Sequence, residues 1–149
     1  MFPNRLLDAL LSGDEDVCME AVESSGDLLE YGDWSAYQAT PVFEALLRLV
    51  VDRDRHALKE AALNSLILGL SRDTRVELCL MPLVETLPHL EAGLISSALE
   101  VLGLSRSSAY LDVLRGYASS PDPTLSEAAR NAVCEIGSGR STSALCGGE

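Results

Sequence analysis

Residues 108–137 read SAYLDVLRGYASSPDPTLSEAARNAVCEIG, and this stretch decides the fold of the 149-residue chain. It shows a helical pattern, a Pro-Asp-Pro turn, and a second helical pattern that ends at a glycine. Shifted back by 34 residues it aligns with the chain again, and a further shift of 34 does the same. Gly137, Gly103 and Gly69 then fall in register. A fixed period of this kind indicates a repeat architecture.

Each copy also begins with a residue suited to cap a helix. Ser108, Thr74 and Thr40 lie in register, and a hydroxyl at this position accepts a hydrogen bond from the first helical turn. Pro41 follows Thr40, and proline suits the first helical position. The sequence therefore predicts that first helices begin at these three residues.

The second helix of each copy carries apolar residues at i, i+3, i+4 and i+7. In the third copy they are Leu125, Ala128, Ala129, Ala132, Val133 and Ile136, and in the middle copy Leu94, Ile95, Ala98, Leu99 and Leu102. Asp54 and Asp122 each precede a second helix, where a carboxylate is predicted to cap it. The first copy is weaker, because Asn64 and Ser65 occupy positions that are apolar in the third.

The pattern resembles a HEAT repeat. The resemblance rests on Asp122-Pro123, the small-residue run EAARNAV at 127–133 and the closing Ile136-Gly137. It covers residues 40–137, although 34 residues is a short period for that family. It implies an all-α, right-handed solenoid of three helix pairs, and we expect residues 1–137 to form one domain, with a flexible tail at 138–149.

Residues 1–25 predict a helical cap at the start of this solenoid. The apolar pattern of Leu6, Leu7, Leu10 and Leu11 indicates a short helix, and Asp14-Glu15-Asp16 opens a second one whose buried side is Val17, Cys18, Ala21 and Val22. Carboxylates are favourable at a helix N-terminus. Terminal repeats of a solenoid have to cover an otherwise exposed apolar face, so a cap is expected here.

Residues 26–39 interrupt the repeat and predict a loop that is both acidic and aromatic. This loop contains Tyr31, Trp34 and Tyr37 among acidic residues. In one interpretation the aromatic side chains cover the end of the core. In the other they are presented to a partner, because tryptophan and tyrosine often anchor interfaces.

Charge is concentrated in the same region. The chain carries a net charge of −12, and residues 1–47 hold ten acidic residues against one arginine, for a net −9. A surface of this sign repels nucleic acid and anionic lipid and attracts a cationic protein, although acidity can also serve only solubility. The candidate partner-binding residues are Asp14, Glu15, Asp16, Glu20, Glu23, Asp27, Glu30, Tyr31, Asp33, Trp34 and Tyr37.

The sequence offers little that indicates catalysis. The two histidines, His56 and His89, fall in predicted turns, and the four cysteines are far apart, which is typical of reduced thiols in a core. There is no glycine-rich phosphate loop and no Gly-x-Ser-x-Gly elbow. We therefore expect no enzyme activity, no cofactor and no metal.

The sequence thus predicts a non-catalytic, protein-binding module. The leading hypothesis is a small acidic inhibitor or immunity protein that neutralises a basic partner such as a bacterial toxin domain. The alternatives are a general HEAT-repeat scaffold or adaptor and, from another class, a HEAT-like lyase or DNA glycosylase-type enzyme. No signal peptide or membrane span is apparent, because charges interrupt every apolar run. We expect a cytoplasmic protein that is a monomer on its own.

Overall fold

The computed structural model describes residues 4–32, 34–72 and 78–138, and every element in these ranges is helical. The all-α prediction is therefore confirmed for this part of the chain. The α-helices are α1 (Asn4–Leu10), α2 (Glu15–Tyr31), α3 (Ala36–Asp52), α4 (His56–Arg72), α5 (Met81–Thr86), α6 (Ala92–Leu104), α7 (Leu111–Ala118) and α8 (Pro123–Ser138), with 3₁₀ turns at Leu87–His89 and Ser108–Tyr110.

The chain divides into two compact units, Met1–Thr86 and Leu87–Glu149. The prediction of one continuous domain over residues 1–137, the right-handed solenoid of three helix pairs and the resemblance to HEAT repeats stay predictions. Within the first unit α3 packs on α4, and within the second α7 packs on α8. These are the first and third of the predicted pairs.

In the first unit, α2 lies along α4, and α1 contacts both α2 and α3. The approach of α2 to α4 is close, because a β-carbon on Gly26 would lie 2.9 Å from Ser65 Oγ. Ser65 is buried and donates a hydrogen bond to the carbonyl of Val22 at 2.9 Å. A buried hydroxyl needs such a partner. This bond explains why a polar residue stands on the apolar side of the first predicted repeat.

A glycine in α4 makes room for the largest completely buried side chain of this core. A β-carbon on Gly69 would lie 2.7 Å from Phe43 Cζ and 3.1 Å from Leu29 Cβ. Phe43 is completely buried. The glycine that the sequence predicted as a helix end therefore lies inside α4, where it serves packing.

In the second unit, α6 and α8 also approach closely. A β-carbon on Gly103 would lie 2.7 Å from Ala132 Cα. Asp122 immediately precedes α8, and its Oδ1 accepts a hydrogen bond at 2.9 Å from the amide of Thr124 in the first turn. This cap is the one that the sequence predicted. Arg106, with φ 56°, forms an ion pair with Glu135 at 2.6 Å, which joins the turn after α6 to α8.

The predicted first-helix starts are corrected in two cases. Ser35 caps α3 in a capping box with Gln38, so Thr40 lies inside the helix rather than at its start. In this capping box the backbone amides of Gln38 and Ser35 are hydrogen-bonded, so α3 begins before Thr40 and continues through Pro41. Ser107 caps the turn that begins at Ser108, one residue before the prediction. Thr74 lies outside the described residues.

The predicted loop at residues 26–39 is also wrong over most of its length. α2 continues to Tyr31 and α3 begins at Ala36, so only a short connection separates them. Gly26 does not end α2, because it faces Ser65 of α4 at a distance that excludes a side chain. Two helices within residues 1–25 are confirmed, although the second runs beyond that range. Their role as a solenoid cap stays a prediction, and residues 139–149 of the predicted tail lie outside the described residues.

Candidate protein-binding surface

Five carboxylates form a single row along α2. They are Asp16, Glu20, Glu23, Asp27 and Glu30, spaced alternately by four and three residues. At 3.6 residues per turn this spacing keeps them within an arc of about 80° and over a length of about 21 Å. The opposite side of α2 is buried, and it consists of Cys18, Ala21, Val22, Ser25, Gly26 and Leu29. We call the five carboxylates the acidic row.

The two acidic residues that precede the row have structural roles. Asp14 caps α2, and its carboxylate accepts hydrogen bonds from the amides of Asp16 and Val17. Glu15 forms an ion pair with Arg55 at 3.1 Å. Arg53 Nη2 donates to the carbonyl of Ser12 at 2.9 Å in the same region. These charges are engaged within the first unit, so Asp14 and Glu15 are poor members of a partner-binding set.

Trp34 is buried, and only 8% of the residue is exposed. Its Nε1 donates a hydrogen bond to the carbonyl of Leu29 at 3.0 Å, and its ring meets Phe43 edge to face at a centroid distance of 6.1 Å. The guanidinium of Arg72 lies 5.1 Å from the ring centroid. The interpretation of Trp34 as an exposed anchor is therefore wrong. The indole covers the end of the core.

Arg72, the last residue of α4, contacts both Trp34 and the C-terminal end of α2. Its Nη1 donates to the carbonyl of Leu29 at 3.2 Å and also to that of Gly32. These carbonyls belong to the last turn of α2 and the residue after it, where a cation is favourable. Arg72 therefore joins the end of α4 to the end of α2 and covers Trp34. No local pattern predicts this contact, because Arg72 lies 43 and 40 positions from its two partners in the chain.

Tyr31 is 77% exposed and lies at the C-terminal end of the acidic row. The negative charge of Glu30, and a hydrogen bond with it, raise the pKa of Tyr31, and Asp27 adds to the effect. The phenol hydroxyl is therefore already engaged with the Glu30 carboxylate. Of the remaining candidates, Asp33 lies outside the described residues. Tyr37 is in α3, and its side chain is likewise outside them.

An open groove of about 710 Å³ lies between α1 and α2, beside the acidic row. Its lining consists of Arg5, Leu6, Ala9, Val17, Glu20, Ala21, Ser24 and Leu28. Val17 is 41% exposed, so the prediction that it belongs to the buried side of α2 is wrong. Residues 17, 21, 24 and 28 follow the acidic row at an offset of one position. The sequence could have predicted this spacing, but only if α2 had been expected to continue beyond Gly26.

A second, polar groove of about 360 Å³ lies in the other unit, between α6 and α8. It is lined mainly by hydroxyl, amide and carboxylate side chains, among them Ser96, Glu100, Thr124, Glu127 and Asn131. Glu135 also contributes, but it already pairs with Arg106. Helices α6 and α8 therefore also present a surface. Its lining is polar, whereas that of the α1–α2 groove is largely apolar.

The residues considered for chemistry are dispersed. His56 lies 4.0 Å from Glu60 on α4, and His89 is exposed in the 3₁₀ turn after α5. Within residues 4–32, 34–72 and 78–138, no group of three metal-ligating side chains is found.

Cys18 is buried and donates to the carbonyl of Leu10 at 3.3 Å, and burial raises its thiol pKa. Cys79 and Cys134 are exposed, contrary to the prediction that the thiols mostly pack in the core.

No family model, curated protein or solved structure matches the chain. No helix of the described residues is long and apolar enough to cross a membrane.

Proposed function

We propose that this protein is a non-catalytic binding module that recognises a cationic protein through the acidic row of α2. In its most specific form it is a small cytoplasmic inhibitor or immunity protein that neutralises a basic partner such as a bacterial toxin domain. The observation that carries the proposal is the alignment of five carboxylates on one face of a helix that contains no lysine or arginine.

Four arginines of the first unit have partners outside this row, which supports the proposal, whereas Arg5 lines the adjacent groove together with Glu20. Arg48 pairs with Asp52, and Arg55 with Glu15. Arg53 is bound to the carbonyl of Ser12, and Arg72 covers Trp34. The field of the row therefore extends into solvent, where aligned charges of one sign raise the encounter rate of an oppositely charged partner.

A general scaffold or adaptor is the alternative that a specific observation favours. The polar groove between α6 and α8 is a second surface on a different unit, and two surfaces suit a protein that joins two partners. An inhibitor would abolish an activity of its captured partner, whereas an adaptor would leave that activity intact. A lyase or glycosylase acting on DNA fits poorly, because the acidic row repels phosphates.

Removing part of the acidic row should slow association with the partner. In the row variant, Glu20→Gln, Glu23→Gln and Asp27→Asn, we expect an association rate at least about tenfold lower at 0.01 M salt. The difference should shrink at 0.15 M, since the Debye length falls from about 30 Å to about 8 Å. Stopped-flow kinetics with the captured partner measures both effects.

A matched control variant removes three charges elsewhere. Glu44→Gln, Glu85→Gln and Asp112→Asn change exposed carboxylates on α3, α5 and α7. This control variant has the same net charge as the row variant but keeps the acidic row intact, so it should associate nearly as fast as the wild type. Equal slowing in both variants would show that only the overall charge matters and would contradict the proposal.

A further inference from the structure

We propose that the groove between α1 and α2 receives a basic amphipathic helix of the partner. Apolar side chains of that helix would enter the groove, and a flanking line of lysines or arginines would face the acidic row. This inference rests on the proposed function and adds the form of the partner segment and the surface that it contacts.

The groove has the apolar character that such a helix requires. Leu6 and Ala9 of α1 and Leu28 of α2 are half-buried, and Val17 of α2 is exposed. Their apolar surface stays in contact with solvent in the isolated chain. Covering it on binding is favourable by the hydrophobic effect. An amphipathic helix that places an apolar face in a groove is a recurrent mode of peptide recognition.

The two kinds of surface run in parallel along the same helix. Positions 17, 21, 24 and 28 line the groove, and positions 16, 20, 23 and 27 carry the carboxylates. Each set extends over twelve residues, or eleven helical rises of about 1.5 Å, and this length of about 16.5 Å matches about three turns of a partner helix. The small side chains at positions 21 and 24 leave the middle of the groove open enough for a helix to approach.

Charge selects this occupant over two others. A second copy of this chain would bring its own acidic row toward the first, and like charges in contact are unfavourable. An anionic membrane surface would be repelled for the same reason. A cationic helix alone satisfies both the apolar groove and the acidic row. Arg5 lies on the α1 side of the groove lining. The lysines of the bound helix should therefore lie on the α2 side, next to the carboxylates.

The test uses two synthetic 14-residue peptides of leucine and lysine. In the first, the leucines are placed at i, i+3, i+4 and i+7, and in the second the same residues are scrambled to remove that face. Titration of the ¹⁵N-labelled full chain should give chemical-shift changes centred on Leu6, Val17, Ser24 and Leu28. The amphipathic peptide should bind at least about tenfold more tightly than the scrambled one.

Groove variants separate apolar contact from charge. Val17→Gln together with Leu28→Gln should raise the Kd of the amphipathic peptide about tenfold or more. Val17→Gln alone, at an exposed position that does not threaten folding, should raise it about threefold to fivefold. Met81→Gln is the matched control, since Met81 is 46% exposed on α5 of the same unit, and it should change the Kd less than twofold.

The outcomes distinguish this inference from the proposed function. Suppose both peptides bind alike and Val17→Gln behaves as Met81→Gln does, while the row variant weakens binding. The helix-in-groove inference is then overturned, and recognition of cations by α2 stands. If the row variant binds as tightly as the control variant, the proposed function fails as well. Absence of peptide binding, or concentration-dependent shifts at the groove without peptide, would also overturn the inference, the latter in favour of a second copy.

Discussion

Replacing Trp34 with alanine should lower the free energy of unfolding by about 3–5 kcal/mol, the range for a large aromatic residue removed from a core. The indole is almost completely buried and packs edge to face on Phe43. The substitution also removes the hydrogen bond to Leu29 and the contact with the Arg72 guanidinium. The cavity would open between the ends of α2 and α4 and the start of α3.

A urea titration followed by circular dichroism measures this loss, with Tyr31→Ala as the matched control. Tyr31 is exposed at the end of α2, so its replacement should cost under about 0.5 kcal/mol. A small loss for Trp34→Ala, equal to that of the control, would mean that the indole does not hold the first unit together. The assignment of Trp34 to the core would then be wrong.

Replacing Leu114 with alanine should cost about 2–5 kcal/mol of stability in the second unit. Leu114 is completely buried on α7, which packs on α8. α7 has only eight residues, and isolated helices shorter than about 12 residues are marginal in water. Its stability therefore depends on this contact.

The control for Leu114→Ala is Glu127→Ala, at an exposed position on α8. Alanine is a good helix former, so this change should cost under about 0.5 kcal/mol. The same urea titration compares the two. Similar losses at both positions would show that the buried and exposed faces of the α7–α8 pair are assigned wrongly.

Helical periodicity is local, and it predicted which segments are helical, whereas the predicted caps were wrong for α3 and for the turn at Ser108. Asp14 and Asp122 cap the helices that the sequence assigned to them. The error at residues 26–39 came from treating Gly26 as a stop signal. Whether a glycine ends a helix depends on what faces it, and Gly26 faces Ser65, thirty-nine positions further along the chain.

The candidate surface was predicted in its charge but not in its shape. The acidic residues and their density are visible in composition alone. The burial of Trp34 is not, because it depends on Phe43 and on Arg72, which belong to other helices. The groove beside the row needs both α1 and the full length of α2, so a prediction that ended α2 early placed Val17 in the core.

A charged residue near a helix start is also ambiguous in a sequence. Asp14 and Glu15 contribute to the same acidic run as Asp16, yet one caps α2 and the other pairs with Arg55. Changing them would disturb folding and binding together. For this reason the row variant uses Glu20, Glu23 and Asp27, whose carboxylates lie in the middle of the exposed face.

The most direct test of the central claim, recognition of a cationic protein by the acidic row, is a pull-down at 0.01 M salt with quantitative mass spectrometry. Wild type, row variant and control variant would each be immobilised at equal density, after circular dichroism shows the same helical content. We expect a basic protein to be retained by the wild type and the control variant and to be at least about tenfold depleted on the row variant. Equal recovery of that protein on all three would contradict it and place the binding surface away from α2.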